Sequence, residues 1–241
     1  SCYFILHTDA VSDAGTDLPA VKDYLFGKDY NNVMLSTNKV TAEQLNNFYN
    51  LADAQILLSS AEGWGLALTE ALLTGTPIIA NVTGGMQDQM RFEDENGDWI
   101  DFSTEHPSNA DGKYKKCGEW AMPIFPKTRS VKGSPMTPYI FSSQCSVEDG
   151  AIALMKVYKM GPEERERRGL AGREWAMSNE AGFTAERMGE RFIENLEVLF
   201  ENWEPQSRFS VIKVDDSTKL DNYNPTPMSL TPEFLKEIQS I

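Results

Sequence analysis

Residues 52–80, ADAQILLSSAEGWGLALTEALLTGTPIIA, constrain the fold more than any other part of the chain. An apolar run, Ala54–Ser59, ends in a turn rich in serine and glycine. A segment with helical spacing follows from Gly65 to Thr74, and Gly75 with Pro77 beyond stops it. Glycine just past a helix and proline shortly after is a C-terminal signature. A second apolar run, Pro77–Ala80, then begins. Both runs are nearly continuous rather than alternating, which predicts strands buried on both faces.

Two more runs of this kind precede them, Tyr3–His7 and Asn32–Leu35. Thr41-Ala-Glu-Gln44 is a capping box, in which the Thr hydroxyl and the Gln side chain each satisfy a free backbone N–H, and it opens a helix through Ala52. Strands alternating with helices at this spacing predict parallel βαβ units. The expected architecture is α/β, a Rossmann-like doubly wound parallel sheet of at least five strands.

With 241 residues, 41% hydrophobic and 24% charged, the chain can bury a sizeable core, and wholesale disorder is excluded. No run of eighteen apolar residues is present, so no transmembrane segment is expected. Lys and Arg total 22 against 36 Asp and Glu, a formal charge of −14, which disfavours nucleic acid and anionic membrane surfaces as partners. Cys2, Cys117 and Cys145 lack metal-finger spacing. They suit free thiols in a reducing compartment, or one bridge and a leftover thiol. The opening SCYFILHTDA has no basic leader and reads as a strand already under way, so a cytoplasmic location is expected.

Residues 1–203 read as the Rossmann-like domain and 204–241 as a C-terminal appendage with a short capped helix at Thr231-Pro232-Glu233. Within the domain, 103–141 reads as a long loop or small subdomain, because it holds six Lys or Arg, five Pro and few periodic apolar residues. Just before it, Asp94, Asn96 and Asp98 imitate a cation loop. Gly97 stands one place too early for that, so a plain turn is expected, followed by a short strand over Trp99–Phe102. Helices are expected from Ser146, from Pro162, and from about Thr184 to Trp203.

The turn after Ser59-Ser60 points backbone N–H groups and the positive end of a helix dipole into the crevice at the strands' carboxyl ends, a setting that suits anions and phosphates above all. Glu62 lies in that turn. Glu70 lies within the helix among Ala67, Ala71, Leu72 and Leu73, so its carboxylate needs a partner, and sugar or ribose hydroxyls are suitable donors. Taken singly, a Glu before a helix is as often a dipole partner, and a Glu within one a solvated residue.

Together the residues carry a resemblance. EGWGLALTE, Glu62 to Glu70, resembles the Glu–seven residues–Glu signature of retaining GT-B glycosyltransferases, in particular glycosyltransferase family 4 (glycosyl transferases group 1). The flanking NLADAQILLSS and ALLTGTPIIA agree with that family's strand–loop–helix–strand segment. Gly84-Gly85-Met86-Gln87-Asp88 is similar to its next loop, with Asp88 where the family usually has Glu, and PEERERRGLAGREWA is similar to its late helices. The resemblance implies transfer of a sugar from a nucleotide-sugar donor to a saccharide or lipid-linked acceptor with retained configuration. It implies no cofactor and no essential metal. Glu62 would be catalytic and bond the donor sugar, and Glu70 would hold the ribose hydroxyls. Gly63, Trp64, Gly65 and Leu66 would bind the donor, the first three through amides facing diphosphate or sugar.

His7 ends a strand at the crevice; it is read either as contacting donor phosphate or acceptor, or as a buried, hydrogen-bonded His. Ser36, Thr37 and Asn38 follow the second strand, where relatives receive the nucleobase, although loop polarity alone also accounts for them. The family's Arg and Lys before the first strand have no counterpart here, and no Lys or Arg stands between Lys39 and Arg91. The chain is therefore expected to be the donor-binding half of a longer enzyme, missing an N-terminal acceptor domain and poorly active by itself. Lys127 and Arg129 are candidates to fold over the site and supply charge, or else are solvated. Alternatives are a GT-B nucleotide-sugar epimerase relative, a phosphorylase, or a non-catalytic Rossmann-like module binding a nucleotide or a protein. A phosphorylase would need a lysine for pyridoxal phosphate near the glutamate segment. A non-catalytic module would let the side chains of Glu62 and Glu70 diverge.

Overall fold

A computed structural model describes residues 2–12, 15–100, 108–134 and 137–204. Contacts divide the chain into two units, Ser1–Ile193 and Glu194–Ile241. The expected appendage after Glu204 lies outside the described residues.

The order of elements is β1 (Phe4–His7), α1 (Leu18–Phe26), β2 (Val33–Ser36), α2 (Ala42–Leu51), β3 (Gln55–Leu57), α3 (Leu66–Thr74) and β4 (Ile78–Asn81). After them come two short 3-10 turns (Gly84–Met86 and Asp88–Met90), β5 (Ala121–Ile124), β6 (Thr128–Ser134) and β7 (Thr137–Gln144). The helices α4 (Val147–Lys159), α5 (Pro162–Met177) and α6 (Ala185–Asn202) complete the order. The α/β class and parallel strands expected from the sequence are present. β1 pairs with β2 in parallel, His7 opposite Ser36, and β4 lies between β3 and β5, parallel to both.

Local chemistry explains the helix boundaries. Thr41 and Gln44 form the full capping box on α2. Ser146 caps α4 by accepting from the N–H of Asp149 at 3.1 Å, and Pro162 opens α5. Gly75 closes α3 in the left-handed region at φ 82°, with its N–H turned back to Ala71 and Leu72.

Four expectations need correction. The parallel strands form two sheets, one of two strands and one of three, and β6 with β7 makes a separate antiparallel hairpin. Apolar runs mark where strands occur; which edges meet is decided by long-range packing. Burial on both faces holds along all of β4 but not along β1, where Phe4 is 41% and Ile5 37% exposed, since a two-stranded sheet leaves much of its surface uncovered. The stretch 103–141 is not only loop: it contributes β5, a strand of the central sheet, and most of the hairpin. Its prolines hide this. Pro123 faces Ala80 in β5, and because among the described residues β5 pairs only with β4, the missing N–H is tolerated at that edge. At Trp99 the expected strand is reduced to a single antiparallel bridge with Glu93, and 101–107 lie outside the described residues.

The main core gathers on α3 and β4: Leu68, Ala71, Leu72, Ile78, Ala80, Val82, Met86, Met90 and Phe92 are each fully buried. α5 closes it from outside. That helix is dense in charge, yet it turns Gly169, Gly172, Trp175 and Ala176 inward, and the Trp175 ring stacks on Trp120 at 4.9 Å. Among the described residues no helix is long and apolar enough to cross a membrane.

Candidate donor-binding site

The loop between β3 and α3 is held from below at several points. Ser59 gives its carbonyl to the fully buried Asn81 (2.9 Å), and Ser60 gives its own to the N–H of Ser143 (2.7 Å). Further on, Gly63 accepts from the N–H of Gly85 at 3.1 Å. Gln89, fully buried, donates from its side-chain amide to the carbonyl of Trp64 at 2.7 Å and of Gly65 at 3.4 Å. Its Oε1 accepts from the Thr69 hydroxyl (2.8 Å), which in turn accepts from the Trp64 indole N–H (2.8 Å). The network runs from the Trp64 side chain back to the Trp64 backbone.

This network sets the direction of the peptide planes. A trans peptide carries its C=O and N–H on opposite sides, and no cis bond occurs among the described residues. Three consecutive carbonyls, those of Gly63, Trp64 and Gly65, turn inward. The following N–H groups, of Trp64, Gly65 and Leu66, therefore turn the other way, at the start of α3. Successive N–H groups facing one direction at a helix N-terminus suit an anion. Gly65 adopts the left-handed region at φ 85°, which only glycine takes at little cost. Gly84-Gly85 press against the same loop, and a Cβ built on Gly84 would lie 1.8 Å from the Glu62 carbonyl oxygen.

Above this loop opens a cavity of about 410 Å³ lined by Leu57, Glu62, Trp64, Gly65, Leu66 and Ala67. Glu62 is half-buried there. Among the described residues the lining contains one carboxylate and no cation. Glu70 does not line it. One turn further along α3, its Oε2 accepts a 2.6 Å hydrogen bond from the Tyr49 hydroxyl of α2. Burial, together with this bond to the carboxylate, pushes the Tyr49 phenol well above its ordinary titration range.

His7 and Ser36 meet at the carboxyl ends of β1 and β2, His7 Nδ1 lying 3.0 Å from Ser36 Oγ. His7 is exposed, not buried, and stacks on Phe48 of α2 at 5.3 Å. Thr37 and Asn38 are exposed beside them. None of the four lines the cavity. Lys127 and Arg129 are engaged elsewhere: Lys127 pairs with Asp149 at 2.9 Å, and the Arg129 guanidinium lies over the Phe141 ring at 4.1 Å. Arg91 is held by Glu93 and, through two nitrogens, by Glu180. Asp94 is a turn residue, its carboxylate accepting from the N–H groups of Asn96 and Asp98. All three cysteines are free thiols, and burial pushes Cys117 up to about 11.

Sequence reasoning missed Gln89 and Tyr49. Gln89 had no local signal, since it stands beside Asp88 and two places from Gln87 in a polar turn, and its partners Thr69 and Trp64 are 20 and 25 residues away. Tyr49 had none either, since its partner is 21 residues away.

Residues 28–110 match the model of the glycosyl transferases group 1 family. A stretch of 65 residues is 35% identical to trehalose synthase of Pyrococcus horikoshii (strain ATCC 700860 / DSM 12428 / JCM 9974 / NBRC 100139 / OT-3), covering 27% of this chain and 16% of that protein. The matched stretch thus spans about a sixth of its relative. The family match contains the whole segment from β2 to β4, including Glu62, Glu70 and the inward-turned carbonyls.

Proposed function

We propose that this chain provides the donor site of a retaining GT-B glycosyltransferase of family 4 that draws on a nucleotide-activated sugar. The observation that carries the proposal is the run of inward-turned carbonyls beneath a Glu62-lined cavity, within the stretch that matches the family model. The outward N–H groups of Trp64, Gly65 and Leu66 receive the diphosphate, helped by the α3 dipole. Glu62 accepts hydroxyls of the donor sugar, and Glu70 accepts ribose hydroxyls. His7 and Ser36 border the donor at the ends of β1 and β2. In the transfer, the bond between the anomeric carbon and the leaving phosphate oxygen breaks, and a bond to the acceptor oxygen forms on the same face. The acceptor's proton passes to the departing diphosphate. Aligned amide dipoles lower the cost of charge developing on that leaving group.

A cavity whose lining, among the described residues, holds a carboxylate and no cation leaves a diphosphate under-neutralised. Weak nucleotide binding and little turnover by this chain alone follow from that. The acceptor, a saccharide or a lipid-linked one, is left to surfaces outside this cavity.

One observation favours the non-catalytic reading. Glu70 does not line the cavity, and its Oε2 already has a protein partner in Tyr49. A thermal-shift panel of nucleotide sugars decides between the two readings, because a ligand that binds the native state raises the melting temperature. At least one nucleotide sugar should raise it more than its free nucleotide does; a panel with no shift at millimolar ligand contradicts the proposal.

A further inference from the structure

We infer that Tyr49 is a positioning residue for Glu70, holding its carboxylate ready for the ribose; the inference rests on the donor-site reading above. Glu70 is exposed, and an exposed glutamate moves among several rotamers whose freedom is lost on binding. Tyr49 does not share that freedom. Its ring is partly buried against the main core, and its backbone carbonyl accepts from the Thr76 hydroxyl at 2.9 Å, just beyond the end of α3. Thr76 is itself 4% exposed, and its N–H donates to Ala71 of α3. A phenol fixed in this way donates to Glu70 Oε2 at 2.6 Å, a charge-assisted bond in the short range.

The bond selects one carboxylate orientation and occupies one oxygen. Oε1 is left to accept a ligand hydroxyl, and the Tyr49 oxygen keeps lone pairs of its own. Tyr49 thus acts through Glu70, on the ribose end of a bound nucleotide and not on the phosphate end. A purely structural tie between α2 and α3 would affect stability, or the binding of both sugar forms alike. A positioning role changes which sugar the site prefers.

The discriminating experiment uses Tyr49→Phe, which removes one oxygen and leaves the ring in place. Calorimetric titration compares uridine, adenosine and guanosine diphosphates with their dideoxyribose counterparts, in the wild type, Tyr49→Phe, Glu70→Gln and the double variant. The expected result is that Tyr49→Phe lowers affinity for the preferred ribose form about three- to tenfold, the scale of one hydrogen bond. Affinity for the dideoxyribose form should be unchanged, and the double variant should be no weaker than Glu70→Gln. If Glu70→Gln abolishes the ribose preference while Tyr49→Phe keeps it, the inference fails and the donor-site reading stands. If Glu70→Gln also keeps the preference, or if no nucleotide binds, the ribose role of Glu70 fails and the inference falls with it. Equal losses for both sugar forms in Tyr49→Phe would mark a helix tie only.

Discussion

At the scale of single residues, the site depends more on backbone direction than on side-chain chemistry. Gln89 matters because it fixes two carbonyls, and Gly84 because nothing larger fits beside the Glu62 carbonyl. Gly84→Ala places a methyl group 1.8 Å from that oxygen, at a residue with φ 51°. The loop or the turn must then move. A stability loss of about 1–3 kcal/mol is expected by chemical denaturation, together with weakened nucleotide binding. A variant with wild-type stability and binding would show that the two turns do not support each other. Residue-scale legibility was uneven. Glu62 and the glycines on either side of Trp64 stand out in sequence as a turn leading into a helical run, whereas the left-handed backbone of Gly65 is seen only in the structure. Tyr49 and Gln89 do not stand out, because their meaning comes from partners brought close only by folding.

At the scale of elements, α2 links the two groups of candidate residues. Its adjacent Phe48 and Tyr49 reach in different directions, one stacked on His7 of β1 and the other bonded to Glu70 of α3. The capping box that starts α2 was legible because its chemistry is local. β5 was not, because two prolines and a charged neighbourhood mask a strand whose place is decided by pairing with β4. A further element-scale tie joins the end of α5 to the corner at Arg91, where Glu180 accepts from the Arg91 guanidinium and from the Trp175 indole. Arg91, before Trp175, holds the Glu180 carboxyl below its ordinary value of 4.5. A carboxyl depressed in the folded state stabilises fully above the unfolded value, and that contribution fades as pH falls through the folded one. The melting temperature should therefore drop on acidification below about pH 4.5, and Glu180→Gln should reduce that drop. An identical acid profile in the variant would remove Glu180 from the account.

At the scale of the whole chain, a formal charge of −14 bears on the proposal that the site receives a diphosphate. Long-range repulsion opposes approach, while amide dipoles act only at contact. Raising salt from low to moderate concentration should leave nucleoside diphosphate affinity level or improve it. A steep fall would reveal a cation at the site that the cavity lining lacks. Parallel βαβ alternation and the strand–turn–helix at Glu62 could be read from the sequence, being written in contiguous residues. The division of the strands into two sheets could not, because it depends on edges far apart in the chain.

The central claim is that Glu62 reads the sugar while the amides beside it hold the diphosphate. It is met most directly by calorimetric titration of wild type and Glu62→Gln with a nucleoside diphosphate and with its sugar conjugates. The account predicts that the variant keeps its affinity for the free diphosphate and loses at least about tenfold in discrimination among sugars, roughly one charge-assisted hydrogen bond. Equal losses for both ligands, or none for either, would contradict it.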